Sequence, residues 1–312
     1  MDAPCSCGFS MHMEAAEVDS ERNEIKEIKE QEERWSKVNK LDQSPVIKTD
    51  SGIEVKATYT PAEIQHNDFL RDVGFPGEYP FTRGPYPEMS RHKPWRYSVF
   101  SGFDTPEETN KRWRFLYEAG QSAFSIVYDL PSHMGLDPDD PQAADEVGRV
   151  GIPVCSAQDI EVVFEGLPMG KAPFYSNMET LAPMIVAMYI AAGENCGIPA
   201  EKMPGSISND PLSTAVSKST TVFPVRSSLR LSCDLIEYSC RNLPKFYPQQ
   251  VKGINMSEGG ASMVQEIGFA FSNATCYVEE GLRRGLSIDE LAGRLTFFFG
   301  TTLHLIEETA KY

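Results

Sequence analysis

From about residue 93 onward, short apolar runs alternate with amphipathic ones, and no other feature of this 312-residue chain restricts its fold as strongly. WRYSVFSG is followed by TPEETNKRWRFLYEAG, AFSIVYDLP by AQDIEVVFEGL, and APFYSNM by TLAPMIVAMYIAAGENCG. PGSISND then precedes SLRLSCDLIEYSCRNLP, QVKGINM precedes GGASMVQEIGFAFSNATCYVEEGLRRG, and RLTFFFG leads to a last helical run ending at Tyr312. Strands separated by helices can run parallel, because each helix carries the chain back across the sheet. The pattern predicts an α/β fold of about six βα units, of the TIM (β/α)8 type and two units short of a closed barrel. Polar residues stand where the strands end: Asp129, Asn177, Asn209, Asp210, Asn255 and Glu258. Ligands bind at that end of parallel strands.

Two other segments precede this region. Residues 1–50 read as a charged N-terminal arm, in which 14–40 form a solvated helix with a thin apolar edge at Ile25, Ile28, Trp35 and Val38. Residues 51–92 read as a lead-in, with the hairpin-like PVIKTDSGIEVKATYT spanning its start, a helix start at Thr60-Pro61, and then GEYPFTRGPY. That last stretch holds prolines, glycines and aromatic rings around a single cation, Arg83, and is too rigid for a helix and too broken for a strand. It raises the question of what needs an arginine on a stiff loop.

Charge and cysteine usage exclude several classes. A net charge of −16 argues against nucleic-acid binding, which requires an excess of cations, so any anionic ligand must be gripped locally. No apolar run has membrane-spanning length, and the start MDAPCSCGFSMHMEAAEVD lacks the order of a signal peptide; the expectation is a cytoplasmic protein. Seven cysteines, an odd and scattered set, suit a reducing compartment. Cys5 and Cys7 form the one close pair, but nothing nearby completes a tetrahedral site, and no metal centre is expected. GxSxG, HExxH, Walker and GxGxxG motifs are all absent. Of the five histidines, His133 is the one set just past a strand end.

GFPGEYPFTRGPYPEM, AGQSAFSIVYDLPSHMGLDPDDP, ISNDP, FPVRSSLRL, GINMSEGG and AGRLTFFFG occur in an order and spacing similar to the catalytic large subunit of the methylmalonyl-CoA mutase family, over about residues 20–312. The resemblance implies a (β/α)8 barrel threaded by the pantetheine arm of coenzyme A. It also implies adenosylcobalamin lying over the strand C-terminal ends and a radical 1,2-shift of the thioester carbon. On this resemblance Arg83, with Thr82 and Tyr86, belongs to the CoA grip, and Ser206, Arg294 and Thr296 match further CoA contacts. Arg230 matches an arginine that pairs with the free carboxylate of a dicarboxylic acyl-CoA, although SLRLSCDLIEY also reads as a helix bearing a solvent-facing arginine. Tyr128, Leu130 and His133 match residues beneath the corrin, and Glu258 a carboxylate near the adenosyl group.

The sequence departs from the family pattern at two of these positions. Ser90 stands where the resemblance implies a tyrosine wedge, and Asn255 where it implies a histidine donating to the thioester carbonyl. An asparagine amide donates a hydrogen bond but carries no charge to a developing oxyanion. A shifted, bulkier acyl-CoA substrate is one reading, and a decayed or non-catalytic subunit that binds a partner chain is the other. The cobalamin-binding DxHxxG signature is absent, so the lower axial ligand is expected from another domain or chain. The expected partners are an acyl-CoA, a cobalamin-binding subunit or domain, and further chains in a hetero- or homo-oligomer.

Overall fold

The computed structural model describes residues 7–43, 45–91, 94–218 and 221–312. Cys5 and His92 lie outside the described residues. The chain divides into two units between Trp95 and Arg96.

In the first unit, helix α1 (Cys7–Val38) covers the charged arm, and β1 (Ile47–Lys48) pairs antiparallel with β2 (Glu54–Val55). Thr60 caps a short turn over Pro61–Glu63: its hydroxyl accepts from the Ala62 N–H while the Glu63 carboxylate accepts from the Thr60 N–H. The expected helix is this one turn and goes no further.

The second unit holds the repeating region. Strands β3 (Phe100–Ser101), β4 (Phe124–Ile126), β5 (Phe174–Asn177), β6 (Gly205–Ser208) and β7 (Phe246–Tyr247) form a five-stranded sheet in that order, every pair parallel. A second parallel pair joins β8 (Gln249–Lys252) to β9 (Leu295–Phe298). Pro248 alone separates β7 from β8, and proline brings no N–H to a ladder. Across this break the Ser208 hydroxyl donates to Gln250 Oε1 at 2.7 Å.

Helices follow each strand run. They are α2 (Pro106–Glu118), α3 (Leu130–Met134), α4 (Ala157–Phe164), α5 (Ala182–Asn195), α6 (Pro211–Ser217), α7 (Val225–Asn242), α8 (Ile254–Glu258), α9 (Met263–Arg283), α10 (Ile288–Ala292) and α11 (Leu305–Lys311). Their starts are written locally. Thr105 caps α2 with Pro106 in the first turn, where a missing N–H is harmless, and Ser156, Ser262 and Ser287 open α4, α9 and α10 with capping boxes. The architecture is a parallel α/β sheet as the alternation predicts. Among the described residues no ladder joins β3 to β9.

Strand alternation sorts the side chains into two faces. Phe174, Ile207 and Phe246 turn toward the helices and join a cluster with Trp113, Phe124, Phe164 and Tyr189. Trp113 is fully buried, its ring 4.9 Å from Phe124 and 5.2 Å from Phe164. Val251 and Phe297 belong to a second cluster with Ile236, Ala270, Tyr277 and Leu291. The register puts Tyr175, Asn177, Ser206, Ser208, Gln250 and Lys252 on the opposite face, which is therefore polar.

Candidate functional site

The C-terminal ends of β4, β5, β6 and β8 bring a set of buried polar groups together. Two of the strand-end carboxylates serve the backbone. Asp129 caps α3, accepting from Ser132 N at 3.0 Å and from Gly148 N at 2.9 Å. Asp210 caps α6 through Ser213 N at 3.1 Å, and its other oxygen accepts from the Lys252 backbone N–H at 2.8 Å. Tyr277 adds a hydroxyl donor at 2.7 Å. Burial pushes the Asp210 carboxyl up from the ordinary aspartate value, and the three donors oppose that shift. The Tyr277 hydroxyl, buried and facing Asp210, is held well above the usual phenol value.

The remaining groups form a charge network. Lys252 Nζ donates to Asn177 Oδ1 and to Glu179 Oε1, making an ion pair whose side chains are 4% and 8% exposed. The second oxygen of Glu179 lies 3.7 Å from His133 Nδ1. Burial lowers the His133 pKa below its ordinary 6.5, reinforced by the Lys252 and Lys218 charges and opposed by Glu179. Glu179 itself sits at φ 47, a left-handed conformation that a non-glycine residue seldom adopts. Asn255, almost fully buried, directs its amide to Ser213 Oγ at 3.4 Å, and that hydroxyl donates to the Lys252 carbonyl at 2.9 Å. Gly253 allows this crowding, because a Cβ there would lie 2.5 Å from the Phe299 ring.

The other residues expected at a site are distributed as follows. His133, Leu130 and Glu258 stand at the same strand ends, with Leu130 half exposed and Glu258 exposed. Tyr128 is buried, its hydroxyl 2.8 Å from Ser176 Oγ, on the helix-facing side. Ser206 lies on the polar face of β6, and Thr296 on β9 donates to the Gln249 carbonyl at 3.2 Å. Arg294 Nη1 donates to the carbonyls of Leu243, Pro244 and Phe246, bracing the turn into β7. Arg230 is on the solvent side of α7, paired with Asp234 at 3.2 Å, and among the described residues no hydrogen bond or ion pair joins its side chain to the strand-end network.

In the first unit, Arg83 and Tyr86 are exposed on the loop that the sequence marks as rigid. Gly77 N donates to the Gly84 carbonyl at 2.9 Å, and Thr82 Oγ1 donates to the Val73 carbonyl at 2.5 Å. Gly77 has φ 84, and Pro87 lies 2.8 Å from where its Cβ would stand, so the loop closes only with glycine there. Ser90 falls in a short turn over Met89–Arg91.

Sequence reasoning singles out neither Lys252 nor Glu179. The available signal is Lys252 itself, a lysine at the end of the strand-like run QQVKG. Among the described residues no group of histidine, cysteine or carboxylate side chains could hold a metal ion, and no helix is long and apolar enough to cross a membrane.

The family model described as methylmalonyl-CoA mutase matches residues 48–312. The 2-hydroxyisobutanoyl-CoA mutase large subunit of Aquincola tertiaricarbonis is 38% identical over 258 residues, which cover 83% of this chain and 46% of that protein. The methylmalonyl-CoA mutase of Rhizobium meliloti is 35% identical over 263 residues, covering 84% of this chain and 37% of the relative. The human mitochondrial methylmalonyl-CoA mutase is likewise 35% identical, with 34% of its length covered. The chain thus spans between about a third and a half of the length of these curated relatives. With the family model covering most of its length and its motifs set on parallel βα units, this chain belongs to the methylmalonyl-CoA mutase family.

Proposed function

We propose that the chain is the acyl-CoA-binding, catalytic-barrel part of a mutase that rearranges the carbon skeleton of an acyl-CoA, an isomerase of the intramolecular transferase class. The observation that carries this reading is the buried polar network at the strand ends of a family scaffold. Replacing a buried ion pair by packed apolar side chains is often neutral or stabilising, so a subunit kept for shape alone has little reason to hold Lys252 and Glu179 there. This favours the catalytic reading over a decayed or purely structural one.

In this reading the CoA portion is gripped by the Arg83 loop, whose closed glycine and proline frame leaves little entropy to lose on binding. Ser206 and Thr296, on the polar face, line the route of the acyl arm. Leu130, His133 and Glu258 fit adenosylcobalamin laid over the strand ends, since each stands there with part of its surface open; Tyr128 does not, being buried against Ser176. When bound, that cofactor supplies radical chemistry, and the chain's own residues orient the acyl group and exclude water. A separate cobalamin-binding subunit or domain completes the assembly, in keeping with the relative named as a large subunit. Cys155, Cys196, Cys233, Cys240 and Cys276 are free thiols, which fits the reducing cytoplasm.

The substrate in this reading is not methylmalonyl-CoA. Asn255 replaces the expected histidine, its amide is turned to Ser213, and Arg230 is paired with Asp234 on α7. A relative named for 2-hydroxyisobutanoyl-CoA supports a family whose acyl groups vary. The test is to assemble the chain with a cobalamin-binding partner, add adenosylcobalamin, and assay branched, hydroxylated and dicarboxylic acyl-CoAs for carbon-skeleton isomers. Turnover of a non-malonyl ester is expected. Tight CoA binding without turnover of any ester would favour the non-catalytic alternative.

A further inference from the structure

We propose that the Lys252 ammonium is the cationic donor to the thioester carbonyl oxygen of the acyl-CoA, supplying the charge that Asn255 cannot. The proposal rests on the mutase reading above and names a catalytic residue within it. Four observations point to this role. Lys252 ends β8 on the polar face, three residues before Asn255. Two of its three ammonium hydrogens go to Asn177 and Glu179, and the third has no partner among the described residues. Only 4% of the side chain is exposed to solvent, so a hydrogen bond made there is stronger than one in water. Glu179, the counter-ion, is held at a strained positive φ, and such strain gathers at functional sites.

The charge balance selects the ligand atom. Glu179 already neutralises Lys252, so a free carboxylate entering here meets a negative neighbour and gains little. A carbonyl oxygen carries only partial negative charge and takes one linear N–H donor, which matches the single unassigned hydrogen. His133, which faces the counter-ion Glu179, is the partly open side chain beside the pair, 29% exposed. A donor with fixed positive charge favours the transition state in which negative charge grows on that oxygen.

The experiment uses the full chain in the assembly in which it purifies, with two probes. One is isobutyryl-CoA carrying ¹³C at the thioester carbonyl, and the other is its thioether analogue, in which a methylene replaces the carbonyl. The wild-type chain should bind the thioester about ten- to a hundredfold more tightly than the thioether, as expected for one charged hydrogen bond. Bound ¹³C=O should show a lowered infrared stretch. Lys252→Met should bring the two affinities together and return the stretch to its position in apolar solvent, while thioether affinity stays as in the wild type. A thioester preference or a lowered stretch that survives in Lys252→Met overturns the proposal and leaves the mutase reading standing. Failure of the wild type to bind either probe overturns both. Should Lys252→Met not fold, the wild-type spectrum decides alone: an unshifted carbonyl overturns the proposal, and Lys252→Arg, which keeps the charge, should retain any shift.

Discussion

The Tyr277 hydroxyl, on α9, donates to the buried Asp210 carboxylate at the end of β6, with 2.7 Å between the oxygens. The same carboxylate holds the Lys252 backbone N–H and the first turn of α6, so one side chain joins two strand ends and two helices. Asp210→Ala strands three donors in a buried site and should cost on the order of 3 kcal/mol. Tyr277→Phe removes one donor and should cost about 1–2 kcal/mol. Urea melts of both variants check the ordering, and equal losses would contradict it.

His133 sets a pH dependence. Burial holds its folded-state pKa below 6.5, so the folded protein binds fewer protons there than the unfolded chain. Its contribution is fully present above 6.5 and is lost as the pH falls toward the depressed value. Thermal melts between about pH 7.5 and 5.5 should show the wild type losing more stability than His133→Gln. Parallel curves for the two proteins would exclude His133 as the source.

Arg83 and Arg294 should behave in opposite ways. Arg83 is exposed and makes no hydrogen bond or ion pair among the described residues, so Arg83→Ala should leave stability within about 0.5 kcal/mol of the wild type. The protection that CoA confers should fall by about 1–3 kcal/mol, the range for a charged hydrogen bond. Arg294→Ala releases three carbonyls at the entry to β7 and should lower stability by about 1–3 kcal/mol even without ligand. Thermal shift with and without CoA separates the two effects.

Association should follow from the sheet edges. β3 and β9 each have a single strand partner among the described residues, and unpaired edges attract further strands. Sedimentation of the purified chain should show oligomers. A monodisperse monomer that unfolds in one cooperative step would refute this.

The order of strands and helices is legible because each element carries its own signal. Thr105-Pro106, Ser156, Ser262 and Ser287 mark helix starts, and the apolar runs mark the buried strands. The strand-end position of Asp129 and Asp210 is equally plain, yet their work as caps depends on which N–H groups the fold brings near. Lys252 and Glu179 are illegible for a stronger reason. They meet across 73 positions of sequence, and the side-by-side placement of β5, β6 and β8 decides that a lysine, usually a solvent-facing residue, lies inside. Arg230 shows the converse, since its motif resembles a binding arginine while the i,i+4 geometry of α7 gives it Asp234.

The interruption at Pro248 coincides with the division between the two apolar clusters, one built on β4, β5 and β6, the other on β8 and α9. The two clusters lie within one compact unit and share α7, whose Leu235 packs in the first and Ile236 in the second, and the Ser208–Gln250 hydrogen bond takes the place of a continuous ladder between β6 and β8. Lys252 ends the strand of one cluster, and Glu179 follows β5, a strand of the other. The charge pair therefore forms only when the two strand groups lie side by side, which makes the reactive end a readout of that packing: whatever loosens the seam disarms the site.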